Sequence, residues 1–351
     1  MSYTNGLDKP TDYFNTKLYT GTGATRSITG IGFQPDWIWT KGRSGTYSSE
    51  SHKLYDSVRG ATKELRSDVN NAESTNSGGV TSFDSDGYGL GVGGGVNGSS
   101  TEYVSWNWLA GGTASSNTDG SITSSVSANT TSGFSICTFT GNGTSGATVG
   151  HGLGAVPKMY MVKRRDTTGR WQVYHVGTAT SPEDKYLFLD GNEAVQDATN
   201  RWNDTAPTSS VFSLGNSTEV NGNGGTYIAY CFAEKKGYSK FGSYTGNGNA
   251  DGTFIYTGFK PAFIIQKRYS STGNWYLWDS VREPSNVVKK RLDADTNLAE
   301  ASNYNTLDFL SNGFKFRDTN NEWNGSGDSY IYMALAESPF VSSSGIPTTA
   351  R

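Results

Sequence analysis

The three histidines are the first residues in this sequence that could do chemistry. A hydrolytic triad would place His52, His151 or His175 beside a nucleophile and an orienting carboxylate. The sequence contains neither G-x-S-x-G nor H-E-x-x-H, the local patterns that bring such groups together. We therefore expect each histidine to be held by hydrogen bonds at the surface or at a strand end, and we predict no catalytic residue.

Acidic residues could bind calcium or cleave glycosides. Residues 84–87, Asp-Ser-Asp-Gly, resemble part of a calcium loop, but the glutamate that completes such a loop is absent. Glycoside cleavage needs two carboxylates about 5 to 10 Å apart across a cleft. Candidate pairs are Asp293 with Asp295 and Asp56 with Glu64, and solvated acids in turns explain them equally well. The sequence predicts no metal and no cofactor.

A glycine-rich run at residues 141–146 matches G-x-G-x-x-G. This pattern indicates nucleotide binding only where it follows a strand and opens a helix. The residues that follow, 147–152, are Ala-Thr-Val-Gly-His-Gly, which cannot form a stable helix. We interpret the run as a turn.

Cys137 and Cys231 are the only cysteines. No C-x-x-C pair exists, so neither a disulfide scaffold nor a zinc site is indicated. The two alternatives are one bridge between them and two buried free thiols. We favour the free thiols because cysteine behaves as a small apolar residue in protein cores.

These residues lie in a sequence that repeats three times. Each unit opens with an aromatic residue and a tight turn, continues with a strand that begins at proline and ends at lysine, and closes on an aromatic strand. The openings are residues 19–23, 139–143 and 244–248, the proline-to-lysine strands are 35–41, 157–163 and 261–267, and the closing strands are 103–108, 227–232 and 330–335.

Alternation along the closing strands predicts which face is buried. Alternate residues of each closing strand form two sets. One set, which we call the large parity, consists of large apolar residues in every unit, so we expect it to face the core. The other set, the smaller parity, has smaller and more variable residues. Hairpins are predicted at Asp86-Gly87 and Asn312-Gly313, and one short helix is predicted within residues 284–301. The large parity comprises Val104, Trp106, Trp108, Ile228, Tyr230, Phe232, Ile331, Met333 and Leu335.

A lysine recurs at the end of each proline-to-lysine strand, as Lys41, Lys163 and Lys267. Each shares its parity with core residues, so we expect a buried stem and a head that is paired at the strand end. Contact with a ligand is the alternative interpretation.

Composition and charge narrow the class of protein. The 351 residues include 45 glycines, with 13% aromatic and 17% charged residues, and the net charge is −3. Short aromatic strands joined by polar turns suit this composition. A duplex-binding protein would normally carry a basic face, and no run of 18 apolar residues is available to span a membrane. Residues 1–9 lack the apolar core of a secretory signal.

The sequence therefore predicts an all-β protein made of three tandem antiparallel β-sandwiches, jelly-roll-like and about 100 residues each. Nucleic acid and membrane insertion are excluded as partners. The predicted boundaries are a first sandwich at 1–112, a polar linker or edge strand at 113–133, a second sandwich at 134–236, a third at 237–340 and a polar tail at 341–351.

Several blocks resemble a family of tailed-bacteriophage virion proteins of the marine and cyanophage type. The resemblance rests on Gly32-Phe33-Gln34-Pro35-Asp36-Trp37 and on residues 6–16, 56–63, 106–112 and 239–248, and it covers nearly the whole chain. It implies a structural protein, often labelled tail-fibre-like, with sandwiches similar to laminin-G and concanavalin-like lectins. It also implies a place on the phage particle surface, other virion proteins as partners, a homotrimer and synthesis in the host cytoplasm.

Two functions are consistent with this resemblance. A tail fibre or spike component would bind a host-surface glycan, whereas a capsid decoration protein would need only a complementary surface. A polysaccharide-cleaving enzyme is a distant third. The fibre hypothesis requires an exposed aromatic cleft, because aromatic faces stack on sugars. We predict such a site on the smaller face of the closing strands, at Tyr227, or at Tyr330 with Tyr332.

Overall fold

A computed structural model describes residues 7–347. The first six residues of the predicted first sandwich and the last four of the predicted tail lie outside the described residues. Strands make up 43% of the structure and helices 6%, and the ladders between the strands are antiparallel. The predicted all-β sandwich class is confirmed.

Unit 1 contains two facing sheets and one short ribbon. Its inner sheet has the order β1-β9-β3-β4, its outer sheet the order β2-β8-β7, and β5 pairs with β6. A 3₁₀ turn, Pro10–Asp12, precedes β1, and the helical turn α1, Gly94–Asn97, precedes β9. The strands are β1 (Phe14–Thr20), β2 (Arg26–Thr29), β3 (Trp37–Ser44), β4 (Lys53–Asp56), β5 (Lys63–Glu64), β6 (Ser74–Thr75), β7 (Val80–Asp84), β8 (Gly87–Leu90) and β9 (Glu102–Trp108).

The segment after unit 1 forms a hairpin on the edge of unit 2. Its strands are β10 (Ser115–Asn117) and β11 (Ser124–Asn129). Strand β11 pairs with the first strand of unit 2, β12 (Phe134–Thr140). Residues 113–133 therefore contain a polar edge hairpin instead of an unstructured linker.

Unit 2 repeats the arrangement of unit 1. Its inner sheet runs β12-β19-β14-β15-β16-β17 beyond the hairpin, and β13 pairs with β18 in the outer sheet. The short helical segments are a 3₁₀ turn at Pro182–Asp184, α2 (Thr199–Trp202) and α3 (Thr218–Asn221). The strands are β13 (Ala147–Gly150), β14 (Pro157–Arg164), β15 (Gln172–His175), β16 (Lys185–Phe188), β17 (Gln196–Asp197), β18 (Val211–Leu214) and β19 (Thr226–Ala233).

Unit 3 has the same two layers. The inner sheet has the order β20-β27-β22-β23-β24 and the outer sheet the order β21-β26-β25. One helical turn, α4 (Asn321–Asn324), precedes the closing strand. The strands are β20 (Ser239–Thr245), β21 (Phe254–Tyr256), β22 (Phe259–Arg268), β23 (Trp275–Asp279), β24 (Leu292–Asp293), β25 (Leu307–Leu310), β26 (Gly313–Phe316) and β27 (Ser329–Pro339).

Both faces of the closing strands are buried, because each inner sheet lies between two cores. The large parity faces a core shared by all three units, which we call the central core. The smaller parity faces a separate core between the inner and outer sheets of its own unit, which we call the peripheral core. The closing strands contribute Val104, Trp106, Trp108, Ile228, Tyr230, Phe232, Ile331, Met333 and Leu335 to the central core, as predicted.

Equivalent contacts connect the units in a closed cycle. The backbone N–H of Glu73 donates to the carbonyl of Arg165, which joins unit 1 to unit 2. Val195 donates in the same way to Tyr269 of unit 3, and Glu300 of unit 3 donates to Arg43 of unit 1. Since the same contact leads from unit 1 through units 2 and 3 back to unit 1, the units form a ring around the central core.

The two predicted hairpins are confirmed, with one difference in register. Their turns are Ser85-Asp86 and Ser311-Asn312, so Gly87 and Gly313 are the first residues of the second strands. A Cβ on Gly87 would lie 1.8 Å from the carbonyl oxygen of Ile28. Glycine is required at position 87, because the neighbouring strand β2 leaves no room for a Cβ atom.

The helix predicted within residues 284–301 is wrong. This segment contains the strand β24 and isolated bridges from Val288 to Leu307 and from Arg291 to Ala301. Pairing with other parts of unit 3 supplies backbone partners that the local sequence does not reveal.

Candidate binding grooves

Each sandwich has one side where the first strand of its inner sheet and the first strand of its outer sheet lie at the sheet edges, apart from the hairpin on unit 2. This side lies between the first strand of the inner sheet and the first strand of the outer sheet. The strands concerned are β1 and β2 in unit 1, β12 and β13 in unit 2, and β20 and β21 in unit 3. The three units differ in how this side is occupied.

In unit 2 the side is closed by the edge hairpin. Ile122 and Val126 are buried in the peripheral core beside Cys137 of β12 and Val149 of β13. Ser124 donates from its hydroxyl to the carbonyl of Gly150, at 2.8 Å. Strand β11 thus pairs with the inner sheet while its side chains fill the gap to the outer sheet.

In unit 1 the same side is an open groove of about 410 Å³ between β1 and β2. Tyr19 and Ile28, from the peripheral core, lie on its two walls. Lys17 and Arg26 also line it, and Arg26 donates to the carbonyl of Thr20 at 2.8 Å. The groove therefore has a mainly polar lining that includes two cationic side chains.

In unit 3 a groove of about 410 Å³ lies beside β20 and the end of β21. Tyr256 lines it with 58% of its surface exposed. Glu234 and Lys240 line it too and form an ion pair at 2.8 Å, and Phe340 and Val341 complete its apolar part. This groove offers an exposed ring beside polar and charged groups.

A second exposed ring extends the aromatic surface next to this groove. Phe254 lies two residues before Tyr256 on β21 and is 44% exposed. Residues i and i+2 of a strand point to the same face, so both rings lie on the solvent side of the outer sheet, whereas Ile255 between them is buried. Exposed aromatic pairs of this kind are typical of binding surfaces.

The aromatic site predicted from the sequence is at Tyr227, Tyr330 and Tyr332, and the structure places all three rings in the interior. The hydroxyl of Tyr227 donates to the carbonyl of Thr218 at 2.7 Å and accepts from the N–H of Gly222 at 2.6 Å. Tyr330 makes the equivalent bonds to Asn321 and Gly325.

These tyrosines anchor the helical turn before each closing strand, as Tyr103 does in unit 1. Tyr332 packs edge to face against Phe314 in the peripheral core. The smaller parity was expected to be a non-core face, and this expectation is wrong because the outer sheet covers it. No ring face of these residues is available for stacking on a sugar.

Phe254 and Tyr256 were not singled out from the sequence. The signal that could have found them is the comparison of the three units. The equivalent strands are Arg-Ser-Ile-Thr in unit 1 and Ala-Thr-Val-Gly in unit 2. Only unit 3 has aromatic residues at the outward-facing positions of this strand.

All three histidines are buried and fully hydrogen-bonded. His52 accepts at Nδ1 from the indole of Trp39 at 2.9 Å, and its Nε2 lies 3.1 Å from the carbonyl of Asp293. His175 contacts Tyr332 O and the N–H of Gly177, and His151 contacts Thr208 O and Leu153 N–H. Burial lowers the pKa of each imidazole, to about 4 for His175. The neutral rings are structural, although they lie deeper than predicted.

The recurring lysines have buried stems and paired heads, as predicted. Lys41 Nζ donates to the carbonyls of Gly42 at 3.0 Å and Asn297 at 3.3 Å. Lys163 donates to Arg164 O at 2.8 Å and to Asn70 O at 3.3 Å. Burial lowers the pKa of Lys41, Lys163 and Lys267 to about 8. These ammonium groups donate to backbone carbonyls at the strand ends, and none of the three lysines is among the residues that line the grooves of units 1 and 3.

Both cysteines are free thiols in the peripheral core of unit 2, which is the favoured alternative. Burial raises the pKa of Cys231 well above its usual value.

Residues 141–146 form a turn between β12 and β13. Asp86 belongs to the segment 84–87 that resembles part of a calcium loop. Its carboxylate accepts hydrogen bonds from the backbone N–H groups of Gly30, at 3.0 Å, and Gly32, at 2.7 Å.

Within residues 7–347 no group of three or more His, Cys, Asp or Glu side chains could hold a metal ion. No helix among them has the length and apolar character that would let it cross a membrane.

The fold and its grooves define a class: an antiparallel β-sandwich protein whose units surround one core and whose lateral openings differ from unit to unit. Residues 9–339 match the model of a family described as a domain of unknown function, DUF7483. The chain belongs to this family. Comparison with curated proteins and with solved structures gives no match.

Proposed function

We propose that this protein is a non-enzymatic structural protein of a phage particle, a tail fibre or spike component that contributes to recognition of a host-surface glycan. The observation that carries the proposal is the exposed pair Phe254 and Tyr256 beside the unit 3 groove. Aromatic faces bind the apolar faces of sugars, and charged or hydroxyl groups at the rim bind sugar hydroxyls. The virion assignment itself rests on the sequence resemblance.

The charged groups of the groove suit binding better than hydrolysis. Glu234 is the one carboxylate among the described residues that line it, and its Oε1 is occupied by Lys240. A hydrolase needs a second carboxylate facing the first across the cleft. A polysaccharide-cleaving enzyme therefore stays the more distant alternative, to be tested by the release of reducing ends from bound polysaccharide.

The test is binding of the purified chain to an immobilised array of bacterial surface oligosaccharides. We expect saturable binding that Tyr256→Ala weakens about fivefold or more, as truncation of a central aromatic contact does. Leu298→Ala is the matched control, because Leu298 is also 58% exposed and lies outside the groove. Equal binding by both variants, or no binding to any oligosaccharide, would overturn the glycan proposal.

Capsid decoration is the second candidate, and the ring of three units favours it. Three similar units around one core could meet a site of threefold symmetry with one chain. Immunogold labelling of intact particles separates the candidates, since label on the head supports decoration and label on the tail supports a fibre. The predicted homotrimer is tested by light scattering, where a monomer would show the chain mass of 37.7 kDa.

A further inference from the structure

The hairpin on unit 2 shows how this fold receives an extra strand. Strand β11 lies antiparallel to β12, with Val126 opposite Cys137 and Ser124 opposite Phe139. The hydroxyl of Ser124 on β11 donates to the carbonyl of Gly150 at the end of β13, and Ile122, just before β11, forms a parallel backbone bridge to Val149 of β13. One strand thus supplies both a new edge and the missing wall of the peripheral core.

Unit 1 has the same receiving edge without the strand. Within residues 7–347, β1 pairs with β9 along one side and with no strand along the other. Such an edge leaves alternate N–H and C=O groups ready to pair with another chain. Both β1 and β12 have seven residues, so the edge is long enough for a strand the length of β11, which has six.

The positions of unit 1 and unit 2 can be matched through their closing strands. Lys17 lies opposite Ser105, and Cys137 lies opposite Ala229. Both partners come two residues after the tyrosine near the start of the closing strand, so Lys17 takes the place of Cys137. Arg26 likewise takes the place of Ala147, since each begins the first strand of its outer sheet.

The unit 1 groove therefore differs from its filled counterpart in charge. Lys17 and Arg26 are cationic, whereas the equivalent positions of unit 2 are uncharged. No carboxylate is among the described residues that line the groove. Asp86 lies near Lys17 beyond the groove and is itself held by Gly30 and Gly32. A lysine on an edge strand protects that edge from pairing, so a strand that pairs with β1 needs a carboxylate to neutralise the charge of Lys17.

We propose that the groove between β1 and β2 is a docking site for an extended strand of another polypeptide. The strand pairs antiparallel with β1, as β11 does with β12, and carries a carboxylate at the position opposite Lys17. In the register of β11 this is the position of Val126. The site would attach the chain to a partner protein, independently of any glycan bound at unit 3.

The test uses the chain's own strand as a template. The probe is a fluorescein-labelled peptide with the sequence of residues 121–130 and the substitution Val126→Glu, added to the full-length protein. We expect saturable binding, weakened about fivefold when the peptide keeps valine, which is the size of effect a partly exposed ion pair provides. A benzophenone side chain at the position of Ser124 should cross-link to β1 or β2.

Variants of the protein locate the contact. Lys17→Glu should weaken binding of the glutamate peptide about tenfold, because attraction becomes repulsion. Arg26→Glu is a second variant in case the first does not fold, and Lys289→Glu, an exposed lysine on unit 3, is the matched control. Thermal melts monitored by circular dichroism check that each variant is folded.

Several outcomes would overturn the proposal. These are the absence of saturable binding, equal binding to Lys17→Glu and Lys289→Glu, and cross-links on β12 or β20 in place of β1 or β2. Concentration-dependent dimerisation that Lys17→Glu abolishes would assign the groove to a second copy of this chain.

Discussion

The indole N–H of Trp171 donates a hydrogen bond to the carbonyl oxygen of Arg66 at 2.7 Å, across the boundary between units 2 and 1. Trp275 makes the same bond from unit 3 to Phe188 of unit 2, at 2.7 Å. In unit 1 the equivalent position is His52, whose Nε2 lies 3.1 Å from the carbonyl of Asp293 in unit 3. The same position of the repeat therefore donates a hydrogen bond across each of the three boundaries between units, from an indole in units 2 and 3 and from an imidazole in unit 1.

Replacing the donor should weaken the boundary. Trp171→Phe removes the indole N–H and leaves a carbonyl without its partner inside the protein, so we expect a loss of about 1 to 3 kcal/mol in the free energy of unfolding. Urea denaturation measures it. Trp171→His, which copies unit 1, should recover part of the loss, and identical stabilities of the Phe and His variants would contradict this role.

The buried ion pair Asp56 and Arg59 should be costly to break. Asp56 accepts from Arg59 and, at 2.7 Å, from the hydroxyl of Tyr230 in unit 2. Asp56→Asn leaves Glu73, at 3.1 Å, as the carboxylate that still contacts the buried guanidinium. We therefore expect a loss of about 3 kcal/mol in the free energy of unfolding, the lower end of the cost of breaking a buried ion pair. Asp12→Asn is the control, since its partner Lys9 is 73% exposed and such pairs contribute about 0 to 1 kcal/mol. A loss for Asp56→Asn no larger than the control's would refute the prediction.

Tyr227 should matter for stability and not for glycan binding. Tyr227→Phe removes a buried hydroxyl that makes two hydrogen bonds, so we expect a loss of about 1 to 2 kcal/mol in the free energy of unfolding. Tyr256→Phe, at an exposed ring, should leave stability within about 0.5 kcal/mol. The oligosaccharide array gives the second readout. Weakened binding by a fully folded Tyr227→Phe variant would restore the site that the sequence suggested.

Burial of Lys163 should make stability rise with pH above pH 8. Its pKa is lowered to about 8 in the folded chain against about 10.4 when unfolded. Between these values the unfolded chain holds a proton that the folded chain has lost, so the free energy of unfolding increases with pH. Relative to Lys163→Met, the natural protein should gain up to about 2 kcal/mol between pH 8 and 9.5.

The measurement is a series of urea unfolding curves at pH 7, 8, 9 and 9.5. Lys289→Met, at an exposed site, serves as the control and should run parallel to the natural protein. Parallel curves for Lys163→Met as well would show that the buried lysine keeps an ordinary pKa.

The sequence by itself determined the proline-to-lysine strands, the closing strands, the two hairpins and the side of each closing strand that faces the central core, but not strand β24, where a helix was predicted. These features follow from alternation and turn chemistry, which act between neighbours in the chain. The prediction for the recurring lysines is also confirmed, because a lysine whose aliphatic stem is buried must pair its ammonium group near the end of the strand.

Only the tertiary structure decided what covers the other side of the closing strands. Tyr227 and Tyr330 are aromatic and regularly spaced in either case, and whether the outer sheet lies over them depends on contacts with residues far away in sequence. The exposure of Tyr256 likewise depends on which face of β21 packs on the core. The open edge at Lys17 depends on which unit the hairpin β10–β11 pairs with, and pairing between distant strands is not encoded in any local pattern.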